Sequence, residues 1–346
     1  MSSVDWQRHA PVVFGCSGLR LTGDERRFFA KLRPLGFILF ARNCDNPAQV
    51  KELVGELRDA IACPQAPVMI DQEGGRVARL KAPHWRLPPP AKPFGQLYAR
   101  APAAAREAAR LNARLIAHDL ERLGIDVDCA PVLDLPMPDA HDIIGDRAFS
   151  DRPEPMVALA HAFCEGLAEG GVAPVIKHIP GHGRARADSH VTLPVVEASE
   201  KDLEARDWEP FRQLNDSPWA MTAHVLYRSL DAERPATVSP KVISRVIRGA
   251  IGFDRVLISD DIGMSALGGG FAERGAASLD AGCDVVLHCS GKLDEMRQAA
   301  DGLAPTSPKA AKRLESALKR AQPSSFDRAS ALARLSALLQ QAVPAA

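Results

Sequence analysis

Eight short apolar runs, with helical patterns between them, constrain the fold of this chain more than any other feature. The runs are rich in Val, Ile, Leu and Phe and do not alternate cleanly with polar residues, as expected of strands that are buried on both faces. They lie at 11–15, 36–40, 67–71, 125–134, 172–178, 219–225, 255–261 and 284–289. Buried strands that alternate with helices predict a parallel sheet, and eight is the number that closes a (β/α)8 barrel.

The segments between the runs carry apolar residues at helical spacing. We expect helices at 46–62, 99–123, 199–214, 239–250 and 270–281. Asn46 or Asp45 is the candidate N-cap of the first helix, and Ser199 with Asp202 resembles a capping box before the third. The tail from about 291 to 342 is also expected to be helical, because its leucines form an amphipathic stripe.

Two parallel architectures fit this pattern. An open doubly wound sheet would normally carry a glycine-rich phosphate turn after its first strand, and GCSGLRLTG at 15–23 does not match that fingerprint. The chain shows neither an internal repeat nor a linker, and the proline-rich segment 87–93 is expected to be a loop inside the domain. We therefore predict an α/β fold, a single TIM-type (β/α)8 barrel with additional C-terminal helices, as one catalytic domain over residues 1–346.

Charge and cysteine usage argue against several classes of partner. Lys plus Arg and Asp plus Glu both number 43, so no bulk charge favours nucleic acid or an anionic membrane. The seven cysteines form no C-x-x-C pair, which favours free thiols in a reducing compartment. The N-terminal segment lacks a signal-peptide pattern, and no run reaches the roughly 18 uncharged apolar residues of a membrane helix. We expect a cytoplasmic protein that binds neither nucleic acid nor membrane.

Polar side chains follow six of the eight predicted strands, at the ends where barrel enzymes keep their chemistry. They are Asp71, Gln72 and Glu73, then Asp134, Lys177 with His178, His224, Asp260 with Asp261, and His288. A single acid there is often a helix cap, and a single histidine is often part of the core. Because uncompensated charge at a barrel mouth costs stability, their accumulation predicts a binding site for a polar ligand rich in hydroxyl groups.

The stretch KHIPGHGRARADSH at 177–190 raises a choice between holding a metal and moving a proton. His178 and His182 have the spacing of zinc ligands on a helix, but Pro180 and Gly181 between them break a helix. We therefore expect no metal there, and a loop that positions separate polar groups instead. Asp188 lies two residues before His190, so its carboxylate can fix the imidazole tautomer, or it can simply build an Asx-type turn.

Five motifs occur in an order that resembles a known family. They are DQEGGR at 71–76, IGDRAF at 144–149, KHIPGHG at 177–183, DSH at 188–190 and SDD at 259–261. Over roughly residues 10–300 the sequence resembles the glycoside hydrolase family 3 β-N-acetylhexosaminidases of the bacterial NagZ type. Ile179 stands where phenylalanine is common in that family, and 184–187 is unusually basic.

The resemblance implies a retaining exo-β-N-acetylglucosaminidase on one (β/α)8 barrel, which acts in bacterial peptidoglycan recycling. Its substrate would be N-acetylglucosamine linked to 1,6-anhydro-N-acetylmuramic acid, with or without peptide. Asp260 would be the nucleophile, with His190 as the general acid/base paired with Asp188. The residues that would hold the sugar are Asp71, Arg79, Arg147, Lys177 and His178. We expect a monomer without metal or cofactor.

The residues alone leave some alternatives open. Neighbouring strand residues face opposite ways, so only one of Asp260 and Asp261 should reach the pocket, and sequence parity does not say which. Related functions are an exo-β-glycosidase for glucose or xylose, a barrel that binds sugar without turnover, and a metal hydrolase. The imidazole is nonetheless suited to acid/base work, because its ordinary pKa lies near 6.5.

Overall fold

Eight parallel strands close into a barrel in this computed structural model, which describes residues 4–138, 140–189, 191–319 and 323–341. Each barrel strand lies beside the next barrel strand in the chain, and the first strand, Ala10–Phe14, pairs with the last, Val285–His288. Helices connect the strands on the outside. The predicted TIM-type barrel is confirmed, and the open doubly wound sheet is excluded.

Each of the eight barrel strands coincides with one of the predicted apolar runs. The strands are β1 (Ala10–Phe14), β2 (Pro34–Leu39), β3 (Val68–Ile70), β4 (Val127–Asp128), β5 (Ala173–Ile179), β6 (Val195–Val196), β7 (Trp219–Thr222), β8 (Leu226–Tyr227), β9 (Val256–Asp261) and β10 (Val285–His288). The run at 125–134 is a regular strand only over Val127–Asp128, and an isolated parallel bridge joins Val132 to Lys177 further along it. A separate pair, β6 and β8, lies outside the barrel.

The helices lie close to the predicted ones, with additions. They are α1 (Gly23–Leu32), α2 (Pro47–Ala60), α3 (Lys92–Tyr98), α4 (Pro102–Glu121), α5 (Pro153–Glu169), α6 (Glu200–Asp202), α7 (Glu209–Gln213), α8 (Phe271–Ala281), α9 (Leu293–Asp301), α10 (Pro308–Ala317) and α11 (Arg328–Gln340). Short 3-10 turns lie at Trp6–Arg8, Ala41–Asn43, Gly145–Arg147 and Ala236–Val238, and Leu203–Asp207 and Val242–Ala250 are π-helical. The tail is helical as expected.

Several local predictions have a clear outcome. The Asn46 side chain accepts a hydrogen bond from the Gln49 backbone N–H and caps α2, so Asn46 and not Asp45 is the cap. The Ser199 hydroxyl likewise accepts from the Asp202 N–H before α6. The predicted helix at 199–214 is divided by a π-helical turn, and the loop predicted at 87–93 ends where α3 begins at Lys92.

Helices α4 and α5 approach each other closely on one side of the barrel. A Cβ built on Gly166 would lie 2.2 Å from the Arg110 carbonyl oxygen of α4, so only hydrogen fits there. Alanines on α4, among them Ala108, Ala109 and Ala113, are fully buried. Small side chains therefore bring two long helices into direct contact and close the outer layer over the barrel.

The amino-terminal end of the barrel is held by a buried acid just before β10. One oxygen of Asp284 accepts hydrogen bonds from the Leu257 N–H (2.9 Å) and from Arg248 (2.8 Å), and the other accepts from Arg313 (2.9 Å). Asp284 is 6% exposed. The carboxylate thus joins β9, β10 and two outer helical segments through charge-assisted bonds.

Replacing Asp284 by alanine should lower the free energy of unfolding by about 3–5 kcal/mol, because it leaves two arginines without their buried partner. Denaturant unfolding followed by circular dichroism measures this. Asp254 offers a matched control, since it also pairs with Arg313 but its side chain is 73% exposed. We expect Asp254→Ala to cost less than about 1 kcal/mol. Equal effects of the two variants would contradict the assignment.

The small sheet of β6 and β8 organises the loop that follows β5. Val195 pairs with Leu226, and Val196 pairs with Tyr227. The Tyr227 hydroxyl donates a 2.7 Å hydrogen bond to the Gly181 carbonyl oxygen. The loop from β5 to β6 is therefore fastened at its start and at its end over the carboxyl ends of the barrel strands.

The helices that the structure describes include none whose length and apolar character would allow it to cross a membrane.

Candidate active site

A cavity of about 360 Å³ opens at the carboxyl ends of the barrel strands. Six of the residues predicted for the site line it together: Asp71, Arg79, Arg147, Lys177, His178 and Asp260. These residues come from the ends of β3, β5 and β9 and from two loops. Apolar side chains such as Ile38, Phe40 and Met221 complete the wall. Polar groups set in an apolar wall are typical of a small-molecule site.

A lysine inside the barrel joins two carboxylates. The Lys177 Nζ lies 2.9 Å from Asp71 Oδ1 and 2.6 Å from Glu73 Oε1, and its side chain is 3% exposed. Arg79 donates to the other Asp71 oxygen at 3.0 Å. Arg147 forms two parallel 2.8 Å bonds to Glu73. The five charges form one network at the cavity floor, in which each cation is held in place before any ligand arrives.

The network keeps its acids ionised. Burial alone would raise the pKa of Asp71, but Lys177 and Arg79 outweigh it and leave the pKa well below its ordinary value. Glu73 follows the same balance, with Arg147 and Lys177 lowering its pKa to about 2. Burial would lower the pKa of Lys177, yet the two carboxylates raise it. At neutral pH all three groups are therefore charged.

Asp134, which follows β4 at the carboxyl end of the barrel, orients His178 near the end of β5. Asp134 is fully buried, and its Oδ2 lies 2.6 Å from His178 Nδ1. Its Oδ1 accepts hydrogen bonds from the backbone N–H groups of His178 and His182. The carboxylate therefore fixes Nδ1 of His178 as the protonated nitrogen and leaves Nε2 for the cavity.

His182, in the loop after β5, also lines the cavity. Burial and the neighbouring His178 lower the pKa of His182 to about 4, so its ring is neutral at pH 7. The two ring centroids lie 5.7 Å apart. Among the described residues, no group of three or more His, Cys, Asp or Glu is arranged to hold a metal ion.

The two acids that end β9 differ in how their carboxylates are used. Asp261 Oδ1 accepts hydrogen bonds from the Gly263 and Cys289 N–H groups and lies 3.6 Å from His288 Nδ1. Burial would raise the pKa of Asp261, but these partners lower it. Asp260 Oδ1 accepts only from the adjacent Asp261 N–H, at 2.8 Å, among the bonds of the described residues. The Asp261 carboxylate is therefore fastened to the backbone, whereas Asp260 Oδ2 has no hydrogen-bond partner among the described residues.

Two histidines that the sequence analysis noted at strand ends, His224 and His288, contact the end of β9. His224 is fully buried, with Nδ1 2.7 Å from the Thr237 hydroxyl and Nε2 3.0 Å from the Asp261 carbonyl oxygen. His288 is fully buried beside the Asp261 carboxylate. Neither ring belongs to the cavity wall. Both are core histidines that fix the end of β9.

The loop after β5 contributes His182 and Ser189 to the cavity wall. At Gly183 this loop lies against the segment that follows β4, and a Cβ built on Gly183 would lie 2.0 Å from the Leu135 carbonyl oxygen. Arg184 donates a 2.7 Å bond to the buried Asp207. Ser189 lines the cavity, and the preceding Asp188 accepts two N–H groups at its carbonyl oxygen, from Val191 and Thr192. His190 lies outside the described residues.

One residue of the network was not assigned a role from the sequence. Glu73 stands in the DQEGGR motif, two positions after Asp71, and it binds both Lys177 and Arg147. Two acids two positions apart at a strand end can point to the same side. That spacing was the signal available in the sequence. The bond between Glu73 and Arg147, which lies 74 positions further along the chain, is visible only in the folded structure.

The fold and the cavity define a class. A closed parallel barrel with a charged pocket at the carboxyl ends of its strands is the architecture of (β/α)8-barrel enzymes. The Asp260 carboxylate and Ser189 of the loop after β5 both line this pocket, which fits the hydrolytic members of that class.

Comparison with known proteins identifies the family. Residues 16–322 match the model of the glycosyl hydrolase family 3 N-terminal domain. The chain is 40% identical over 284 residues to a beta-hexosaminidase of Alkalilimnicola ehrlichii, covering 81% of this chain and 80% of that protein. The chain therefore belongs to glycosyl hydrolase family 3, among the β-N-acetylhexosaminidases of the NagZ type, as the motifs predict.

Solved structures agree. The crystal structure of native NagZ from Neisseria gonorrhoeae superimposes with a TM-score of 0.85 at 33% identity, over 97% of this chain and 98% of that one. A second structure of the same protein, in complex with N-trifluoroacetyl-D-glucosamine, gives a TM-score of 0.85 at 34% identity over the same shares of the two chains.

Proposed function

We propose that this enzyme removes terminal, non-reducing N-acetylglucosamine from peptidoglycan fragments, with retention of anomeric configuration. The substrate is N-acetylglucosamine linked to 1,6-anhydro-N-acetylmuramic acid, with or without peptide, in the bacterial cytoplasm. Residues 1–346 act as one catalytic domain and as a monomer. The observation that carries the proposal is the Asp260 carboxylate on the wall of the same cavity as the Asp71–Lys177 network.

Asp260 is the nucleophile of the first step. Its Oδ2 attacks the anomeric carbon while the bond from that carbon to the leaving oxygen breaks, which gives a covalent glycosyl ester. Asp261 is the less suitable candidate, because its Oδ1 is fastened to two backbone N–H groups and a histidine. The adjacent backbone N–H on Asp260 Oδ1 orients the attacking carboxylate.

His190 is the general acid/base, and Asp188 is its partner. In the first step His190 donates a proton to the leaving oxygen; in the second it takes a proton from water, which attacks the anomeric carbon and releases Asp260. Each step inverts the carbon, so the product keeps the β configuration. Support for this placement is that Ser189, between the two residues, lines the cavity.

The sugar hydroxyls are held by the charged network. Asp71 has carboxylate oxygens for hydroxyl donors, while Arg79, Arg147 and Lys177 have N–H groups for hydroxyl or carbonyl acceptors. His178 adds its Nε2, because Asp134 holds Nδ1. Support comes from the relative above, whose structure contains N-trifluoroacetyl-D-glucosamine.

The wild-type enzyme should hydrolyse 4-nitrophenyl β-N-acetylglucosaminide with kcat/KM on the order of 10³-fold or more above that for the matching β-glucoside, because a polar pocket built for one substituent rejects an analogue that lacks it. Proton NMR during turnover should show β-N-acetylglucosamine first. The anhydro-muramyl disaccharide should be a better substrate than chitobiose.

Each other outcome selects an alternative. Initial release of the α-anomer would contradict the covalent mechanism. Equal rates on the glucoside would indicate a broader exo-β-glycosidase, and clean sugar binding without hydrolysis would indicate a binding barrel. Loss of activity with a chelator would indicate a metal hydrolase.

A further inference from the structure

A buried ion pair joins the loop after β5 to the outer layer of helices. Arg184 Nε donates a 2.7 Å hydrogen bond to Asp207 Oδ2. The two side chains are only 18% and 1% exposed. Asp207 ends the π-helical turn Leu203–Asp207, and single π-helical turns are frequent at functional sites. Neither residue lines the cavity, so the ion pair does not itself contact the sugar site.

The burial of this pair calls for a reason other than stability. Removing two charges from water costs free energy that offsets most of their mutual attraction, so an ion pair adds little over apolar side chains of the same volume. A planar guanidinium bound to a carboxylate nevertheless admits few arrangements. The pair therefore fixes where Arg184 lies more than it stabilises the fold.

The start of the loop is held as far as Arg184. The Gly181 carbonyl oxygen accepts the 2.7 Å hydrogen bond from the Tyr227 hydroxyl, and a Cβ built on Gly181 would lie 3.2 Å from Asp207 Cβ. Two backbone hydrogen bonds join this part of the loop to the segment that follows β4. Asp207 therefore contacts the loop at two points, and its contact with Arg184 is the one that depends on charge.

Beyond Arg184 the loop carries the proposed acid/base pair. Asp188 follows Arg184 by four positions and His190 by six. The Ser189 carbonyl oxygen, between them, accepts a 3.2 Å hydrogen bond from the Ala266 N–H. Because so few residues separate Arg184 from the acid, a shift of Arg184 moves the acid as well. A displacement of about 1 Å can cost on the order of 10²-fold in rate.

We propose that Arg184 and Asp207 are positioning residues for proton transfer, whose ion pair holds the loop after β5 so that its acid meets the leaving oxygen. The inference rests on the proposed function in that the acid comes from this loop. It predicts a loss in the step that needs the acid, while the charged network keeps its affinity for the sugar. It also accounts for one charge of the unusually basic segment 184–187.

The values of kcat/KM for two aryl β-N-acetylglucosaminides test this, because kcat/KM reports the first step. Dinitrophenol leaves without a proton, whereas phenol needs one. Arg184→Met and Asp207→Asn should each lower kcat/KM about tenfold or more for the phenyl glycoside and less than about threefold for the dinitrophenyl glycoside. The Kd for N-acetylglucosamine, measured by calorimetry, should stay within about threefold of the wild type.

Arg58→Met is the matched control. Arg58 forms a 2.8 Å ion pair with Asp126, and the two side chains are 17% and 2% exposed, close to the values of the Arg184 pair. Neither residue lines the active-site cavity. The variant should lower the thermal midpoint as much as Arg184→Met does, and it should keep the wild-type ratio of kcat/KM between the two glycosides.

Three results would overturn the inference. They are a wild-type ratio in Arg184→Met and Asp207→Asn, an equal change of the ratio in Arg58→Met, and a Kd for the sugar that rises as steeply as kcat/KM falls. Should neither loop variant fold, Arg184→Lys decides, because lysine keeps the charge but lacks the planar fork. Its ratio should change about threefold or more, and a wild-type ratio would remove the inference.

The same measurements on His190→Ala separate this inference from the proposed function. His190→Ala should show the same dependence on the leaving group, and more strongly. If His190→Ala shows the dependence and the ion-pair variants do not, the inference fails and the proposed function stands. If the ion-pair variants show it and His190→Ala does not, the loop supplies the acid through another residue, so the inference stands and the assignment of His190 fails.

Discussion

Replacing Asp260 by asparagine should lower kcat for β-N-acetylglucosaminide hydrolysis on the order of 10⁴-fold, with the Kd for N-acetylglucosamine within about threefold of the wild type. The amide has nearly the shape of the carboxylate but is a far weaker nucleophile. It also lacks the charge that stabilises the oxocarbenium-like transition state. Initial rates on 4-nitrophenyl β-N-acetylglucosaminide, together with calorimetry, separate the two quantities.

Asp261→Asn is the matched control for this prediction. Its oxygen can still accept from the Gly263 N–H, as the carboxylate does at 2.8 Å, so the end of β9 should keep its shape. We expect a loss of kcat below about 30-fold. Mass spectrometry of the enzyme trapped with a slow fluorinated donor should locate the sugar on Asp260. A label on Asp261, or a larger loss in its variant, would reverse the assignment.

His190→Ala distinguishes the second partner from the first. Without a general acid, the rate should fall steeply for poor leaving groups such as a sugar hydroxyl and little for an acidic phenol that leaves unprotonated. Asp260→Asn should be slow with both. If the two variants showed the same leaving-group dependence, His190 would not be the acid.

Replacing Lys177 by methionine should lower the free energy of unfolding by about 3–5 kcal/mol and raise KM by on the order of 10²-fold. The change removes the cation that lies 2.9 Å from Asp71 and 2.6 Å from Glu73, so two buried carboxylates lose their shared partner. Arg79 and Arg147 remain, but each contacts only one of them.

The same variant should unfold at higher pH during acid titration. In the wild type the pKa values of Asp71 and Glu73 are lower in the folded state than in the unfolded chain. Their stabilisation is therefore complete above the unfolded values and is lost as the pH falls through the folded ones. Without Lys177 the folded pKa values rise, so part of the stabilisation disappears before acid is added, and less acid unfolds the protein.

Lys201→Met is the control, because Lys201 is exposed on the outer surface and its loss changes the net charge equally. It should change stability by less than about 0.5 kcal/mol. Denaturant unfolding at pH 7 and acid titrations followed by tryptophan fluorescence give both readouts. Wild-type stability and KM in Lys177→Met would mean that the network does not bind the sugar.

The strands were predictable because a parallel strand buried on both faces needs an unbroken apolar run, and such a run can be recognised in the sequence. Helices α1, α3 and α5 were not predicted, and the reasons for α1 and α5 differ. The first half of α1 is Gly-Asp-Glu-Arg-Arg, so its apolar contacts are few. α5 is apolar over much of its surface because α4 covers it, so it shows no clear polar face.

Part of the site could likewise be predicted from the sequence, and part could not. The family resemblance placed six residues in one pocket, and all six line the cavity: Asp71, Arg79, Arg147, Lys177, His178 and Asp260. The resemblance gave no role to Glu73, and strand parity alone could not rank Asp260 above Asp261. The role of Glu73 depends on its bond with Arg147. The difference between the two β9 acids depends on the bond from the Cys289 N–H to Asp261, and both partners come from distant segments of the chain.

The sequence alone predicted the barrel, the family and the side chains at the cavity, because apolar runs and motif spacing can be recognised in the order of the residues. Only the tertiary structure decided which charges neutralise one another and which β9 acid is tied to the backbone. Electrostatic energies depend on distance and burial in space, and these emerge only once the strands have closed.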